Sequence, residues 1–358
     1  MIDWRIQSRK PETWVLGVIG VFSFILVVWF SNALVPLFAA LIIGYLLDPL
    51  VDRLVKIGVP RILAVALVMI GSFLMIGLII FAILPTVVEQ LNQLANQVPE
   101  LISTVEVWVA EAQAKLPDYI SAENFQRFLE RLQIQLESLL GGLITVLLAV
   151  AGGTIGGIVN AVIVGFMVFF LLKDKEIIWN YLLRVLPFLR NRTVMEVLAD
   201  VDRQMGNFIK GKFIVVFLLF ILSTIVFWIY GLDFFLLLGI LTGLSTFIPY
   251  VGATVVGLPV VAAAFIQWGT LGKALLTFCV YTVIQIVDGN YMTPVIIGRE
   301  TNIHPIGIIL AILICGTLWG FWGIVFAVPA AVIVKSVLDV LYFPSVEQAS
   351  SSDGVPGV

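Results

Sequence analysis

The sequence predicts an all-α, polytopic membrane protein. Three observations carry that reading. The 358 residues are 61% hydrophobic and only 12% charged, with a mean hydropathy of +1.10, whereas soluble domains are nearer half apolar and a quarter charged. Several apolar runs reach the length a helix needs to cross a bilayer. Between them lie proline- and glycine-rich polar clusters, which persist at membrane depth only when buried in protein or lining a cavity. The net charge of −3 carries little, because placement of charge matters more than its sum in such a chain.

Arg5, Arg9 and Lys10 precede an apolar stretch, Thr13–Phe30, which is long and followed at once by another. It therefore reads as an uncleaved first helix, not a removed leader. Ala33–Leu47 forms a second helix ending at a charged turn with Asp48, Pro49, Asp52, Arg53, Lys56 and Arg61. Ile62–Leu84 is an uncharged span expected to end at Pro85, completing an N-terminal membrane region over 1–85. Segment 86–141 is expected to be an extracytoplasmic insert of amphipathic helices broken near Pro99 and Pro117. Phe125, Phe128, Leu129, Leu132, Leu136, Leu139 and Leu140 recur there at helical spacing. A glycine-rich membrane helix over 142–172 contains Gly153-x-x-x-Gly157, a spacing that permits close helix packing. Residues 173–212 form a basic cytoplasmic segment, with Val194, Val197, Leu198, Val201, Met205, Phe208 and Ile209 on one apolar face.

Basic residues set the orientation. Six lie before residue 62 and eight in 173–212, against three in the insert, which carries eight carboxylates. With basic segments inside, both termini are expected to be cytoplasmic in the inner (plasma) membrane and the insert outside. Segment 213–342 then reads as two units of opposite orientation, each a span followed by an apolar hairpin. One hairpin breaks at Ile248–Gly252 and the other at Gly316–Gly323. Inverted repeats with interrupted helices, broken or re-entrant, place transport sites at the repeat interface, so 213–342 is the expected transport core. Residues 343–358 read as a flexible tail.

The candidate substrate or ion-binding residues follow from those breaks. Asp288 ends an apolar helix beside Gly289 and Asn290, and Gln285 lies one turn earlier. An intramembrane carboxylate there can hold a cation or carry a proton; the plainer alternative is a helix end at the water interface. Ser245 and Thr246 precede the Pro249 break, where hydroxyls and free carbonyls can bind an ion or a small polyol. His304, the chain's only histidine, belongs to the residue type that titrates near neutrality, although a histidine before a proline is more often a cap. The expected helix breaks are Pro249, Gly252, Pro294, Gly298, Pro305, Gly320, Gly323 and Pro329. Arg299 and Glu300 are expected to pair, and Cys279 and Cys315 read as inert buried thiols.

No phosphate-binding loop, metal-ligand cluster or ATPase motif occurs, so no cofactor, metal or nucleic-acid partner is expected. The pairing of Ser245 with His304 lacks the nucleophile turn of a protease, and no enzyme activity is expected. The partners expected are a small molecule or ion, the lipid bilayer and further copies of the chain. A non-transporting membrane scaffold is the alternative.

Taken together, several short motifs resemble the autoinducer-2 exporter family. They are Gly58-Val59-Pro60-Arg61, Phe170-Leu171-Leu172-Lys173-Asp174, Gly206-Asn207-Phe208-Ile209-Lys210-Gly211, Ile248-Pro249-Tyr250-Val251-Gly252, Asn290…Pro294…Gly298, His304-Pro305, and Gly320-x-x-Gly323 followed by Ala327-Val328-Pro329. The resemblance covers essentially the whole chain before Phe343. It implies about eight membrane helices, a homo-oligomer, and either export of a small signalling molecule or sodium/proton antiport. The two broken hairpins of opposite orientation point to alternating access, one gating from each side.

Overall fold

The computed structural model describes residues 31–115, 122–152, 155–249, 251–297 and 304–342. The first expected span, Pro117, Tyr250, Gly298, Arg299, Glu300 and the tail lie outside these. Among the described residues every regular element is helical. In chain order they are α1 (Ser31–Lys56), α2 (Arg61–Lys115), α3 (Ala122–Gly152), α4 (Ile155–Lys173), α5 (Lys175–Val185), α6 (Arg192–Tyr230), α7 (Phe235–Ser245), α8 (Val251–Trp268), α9 (Leu271–Val287), a π-helical turn (Asp288–Met292), α10 (Thr293–Ile297) and α11 (Pro305–Tyr342).

Among the described residues, five helical stretches are long and apolar enough to cross a membrane: Val35–Lys56, Arg61–Val107, Val194–Tyr230, Val251–Trp268 and Leu271–Ile297. Their outward faces are apolar. Phe81 is 83% exposed, Leu78 71% and Leu74 69%, and a band of that size is tolerable only against lipid or another protein surface. This is a multi-pass membrane protein.

Several boundaries differ from the sequence expectation. Helix α1 continues through Pro49 to Lys56, and α2 runs unbroken through Pro85 and Pro99. A proline removes one backbone donor without ending a helix when the neighbouring turns stay paired. The amphipathic segment after Arg192 and the span to Tyr230 are one helix, α6. Cys315 is buried, but Cys279 is exposed on α9, so only one of the two thiols is enclosed.

Turn chemistry explains where helices do end. Gly58 takes φ 97°; its N–H donates to Val55 and the N–H of Val59 to Leu54, at 3.0 and 3.1 Å. This is a Schellman closure requiring a left-handed residue, and Pro60 then opens α2. Thus Gly58-Val59-Pro60-Arg61 is a stop followed by a start. Gly231, at φ 82°, closes α6 in the same way.

The chain divides into two compact units, with boundaries after Val68, Ala161, Lys210 and Ile296. The first holds α1, the beginning of α2, the end of α4, α5, the beginning of α6, and α11. Its buried residues include Val51, Val65, Val168, Leu172, Ala327 and Val332, and Phe38 packs on Phe326 at 5.3 Å between centroids. The second holds the rest of α2 and α6 with α3, the beginning of α4, and α7 to α10. Its core gathers Leu91, Leu219, Phe227, Leu237, Val260 and Ile284. The boundary at Ile296 falls inside segment 213–342.

Candidate functional site

In the second unit the helical hairpin α7–α8 is held by glycines and glutamines. A Cβ on Gly239 would collide with Thr224, and one on Gly243 would come within 2.8 Å of the Val216 carbonyl. These two small residues, one turn apart, let α7 lie directly on α6. The entry to α7 is clamped by side chains. Gln90 of α2 accepts from the Leu237 N–H at 2.9 Å and donates to the Asp233 carbonyl at 3.1 Å. Gln267 of α8 accepts from the Asp233 N–H at 3.0 Å and donates to the Gly231 carbonyl at 2.8 Å. Buried polar backbone at a break must find such partners.

The break itself follows. The N–H groups of Thr246, Phe247 and Ile248 bond three residues back, tightening the end of α7. Pro249 has no N–H to continue the pattern, and the Gly252 N–H bonds the Ile248 carbonyl at 2.9 Å to start α8. A Cβ on Gly252 would overlap the Ser245 carbonyl, so the two arms meet through a bare backbone. Ser245 and Thr246 are buried, and their hydroxyls donate to the Thr242 and Gly243 carbonyls at 2.7 and 3.1 Å. Each oxygen keeps acceptor capacity.

Helix α9 returns antiparallel to α8. The Tyr281 hydroxyl donates to the Ala253 carbonyl at 2.6 Å, and the ring leaves only 3.2 Å for a Cβ on Gly257. That register places Gln285, one turn on, level with the Ser245–Gly252 break. Its Nε2 is buried beside the Tyr281 hydroxyl without a hydrogen bond of good geometry, so its donor capacity is not fully used. Asp288 caps α9 at its C-terminal end, as expected, but the chain does not leave the helical path there. Asp288 opens the π turn, is half-buried, and accepts from the Thr293 hydroxyl at 2.9 Å. π turns inside α-helices recur at functional sites because they re-aim side chains.

Sequence reasoning missed one residue here. Lys212 of α6 is 8% exposed, and it belongs to the same compact unit as Asp288. Its neighbour Phe213 stacks edge-on with Phe247 of the break, 5.5 Å between centroids. A signal was available, because Lys212 falls one turn after Phe208 and Ile209 on the apolar face of that helix. A lysine on such a face must be buried or must interrupt it.

The other sequence candidates lie apart from this group. Asn290 is exposed and donates to the Ile286 carbonyl at 3.0 Å. Pro294 is the second residue of α10. His304 is exposed, its carbonyl accepts from the Gly307 N–H at 2.8 Å and its Nδ1 from the Ile306 N–H at 3.3 Å, so it caps α11, which Pro305 begins. Within α11 Gly320 has φ 58° and ψ −136°, and a Cβ on Gly316 would lie 3.0 Å from Ile324. A straight helix would hold those two residues roughly 12 Å apart, so the chain folds back between them. Gly323 and Pro329, both buried, follow in the second arm.

The first unit carries a separate polar network. The Arg61 Nε donates to the Leu172 carbonyl at 2.9 Å, and its guanidinium stands 4.0 Å from both Asp48 and Asp52. Lys175 pairs with Asp48 at 2.7 Å, and the Tyr45 hydroxyl donates to Asp202 at 2.7 Å beside Gly206. Three of the motifs quoted above meet in this network, which ties α1, α2, α4, α5 and α6 together.

Chemically, the stretch around the π turn offers the Gln285 amide as donor and the Asp288 carboxylate as acceptor. Comparison with known proteins is consistent with a transport role. "Putative permease PerM" of Escherichia coli K12 is 35% identical over 340 residues, covering 94% of this chain and 96% of that protein. "Putative transport protein YrrI" of Bacillus subtilis 168 is 27% identical, covering 85% of each chain. "Putative transport protein MT0215" of Mycobacterium tuberculosis is 27% identical, covering 93% and 91%. These names are those of transport proteins, not enzymes. The AI-2E family transporter model matches residues 18–343, and the chain belongs to that family.

Proposed function

We propose that this protein is a secondary transporter that exports a small, uncharged, hydroxyl-bearing molecule by alternating access, with cargo contacting Asp288 and Gln285 beside the α7–α8 break. The observation that carries this reading is the pairing of donors with an acceptor. Hydroxyl groups both donate and accept, so one such molecule satisfies the Gln285 amide and Asp288 together. The family description supports an autoinducer-2-like cargo.

Exchange of cations for protons at Asp288 is the second reading, supported by a half-buried carboxylate within a membrane-length helical stretch. Ser245, Thr246 and Pro249 form the wall of the proposed site. The fold-back at Gly320 is proposed as a second gate of inverted orientation. The positive-inside pattern supports cytoplasmic termini in the inner membrane, and the family resemblance supports a homo-oligomer.

Proteoliposomes test the reading. Wild-type protein is expected to release loaded autoinducer-2 faster than empty liposomes, and Asp288→Asn to abolish that release. Asp288-dependent sodium flux with no release of the polar cargo would replace this reading with cation exchange. Flux of neither would leave the scaffold role standing. Single cysteines at Gln113 and Asn191 are expected to label from opposite sides, the former from outside.

A further inference from the structure

We infer that helix α5 lies along the membrane–water interface and binds anionic phospholipid, with Arg184, Arg190 and the α1–α2 turn supplying the cations. Its level is set by the helices around it. The apolar stretches Val35–Lys56, Arg61–Val107 and Val159–Lys173 each have one end at the same charged cluster. There the Arg61 Nε donates to the Leu172 carbonyl at 2.9 Å, and Lys175 pairs with Asp48 at 2.7 Å. A cluster of charges where several apolar helices stop marks the edge of the hydrocarbon. Asp174, at φ −104° and ψ 19°, leaves the helical path of α4, and α5 starts at the next residue. Helix α5 therefore sets out from the bilayer surface itself.

The chemistry of α5 fits that level. None of its residues is buried. Ile177, Tyr181 and Val185, spaced by four, form an outward stripe that is 68, 66 and 53% exposed. Arg184 follows Ile177 by seven positions, close to two helical turns, so it is exposed on nearly the same side. At an interface such a stripe enters the acyl boundary while the arginine reaches the phosphates. Charge then selects the lipid. Residues 48–61 and 173–190 hold seven basic side chains against four acidic ones. Three of those acids are engaged internally: Asp48 with Arg61 and Lys175, Asp52 with Arg61, and Asp174 with Lys173 at 3.5 Å. Arg53, Lys56, Arg184 and Arg190 are exposed and form no ion pair among the described residues. Four such cations beside an apolar stripe complement a surface of phosphates. Nothing in this depends on where the cargo binds.

The experiment takes two readings on the full-length protein in vesicles. In the first, spin-labelled phosphatidylglycerol and phosphatidylcholine compete for the surface of the wild type. Phosphatidylglycerol is expected to be enriched about fivefold, the factor for one cation at an anionic surface. The variant Arg53→Gln/Lys56→Gln/Arg184→Gln/Arg190→Gln is expected to remove that preference. Equal association of the two lipids with the wild type would overturn the inference, as would a preference the variant retains. Should that variant fail to fold, Arg184→Gln/Arg190→Gln decides by the same reading. In the second, nitroxides are placed singly through Glu176→Cys, Ile177→Cys, Tyr181→Cys and Val185→Cys, with Cys279→Ser and Cys315→Ala removing the native thiols. Labels at 177, 181 and 185 are expected to collide more with oxygen, which concentrates in lipid, than with a water-soluble nickel chelate. The label at 176 is expected to show the reverse. Nickel access at all four positions would place α5 in water, and shielding of the stripe from both reagents would place a second copy of the chain on it. Either result would overturn the inference.

Discussion

Charged side chains stand in different surroundings in the two units. In the first unit Asp48 faces Arg61 and Lys175, with side-chain exposures of 22, 30 and 56%. Several partners share each charge, and the facing Asp48 Oδ1 and Arg61 Nη2 atoms are themselves buried. In the second unit Lys212 is 8% exposed, and Asp288 is half-buried with the Thr293 hydroxyl as its hydrogen-bond donor. The first arrangement is redundant, so it contributes as a tie between helices. The second encloses single charged groups, so a change at one of them has fewer neighbours to absorb it. The same residue types are proposed to serve as scaffold in one unit and as a site in the other.

The largest effect is expected from Asp288→Asn, which removes the half-buried carboxylate that accepts from the Thr293 hydroxyl. Transport should be lost, with a stability cost of about 1–3 kcal/mol read from the thermal midpoint. Full cargo flux in this variant would remove Asp288 from the site.

Next comes Gly252→Ala, which tests the wall of the site and not its charges. Its Cβ would overlap the Ser245 carbonyl, so the hairpin must open, at about 1–3 kcal/mol. Transport should fall further than stability does. Full activity would show that the arms tolerate separation.

In the first unit, Arg61→Ala removes the 2.9 Å bond to Leu172 and two 4.0 Å contacts. The expected cost is about 1–2 kcal/mol, with cargo affinity unchanged. Lys175→Ala should be smallest, below about 1 kcal/mol and shrinking further in high salt. If Lys175→Ala proved as damaging as Asp288→Asn, the contrast between the two surroundings would fail.

Much of this was legible in the sequence, for a local reason. Hydropathy reports whether a segment belongs in lipid, so the all-helical membrane class followed from composition and run length. Backbone rules act over a few residues, so the Pro249 break, the Gly320 turn and the His304 cap could be read from neighbours alone. Boundaries were less legible at Pro85 and Pro99, because a helix survives a missing donor when adjacent turns hold it. Partner choice was decided only by the tertiary structure. Gln90 meets the turn at Asp233, 143 positions away, and Gly239 and Gly243 lie against α6. The sequence pattern shows that Lys212 sits on an apolar face, but its enclosure, to 8% exposure, is set by which helices pack together.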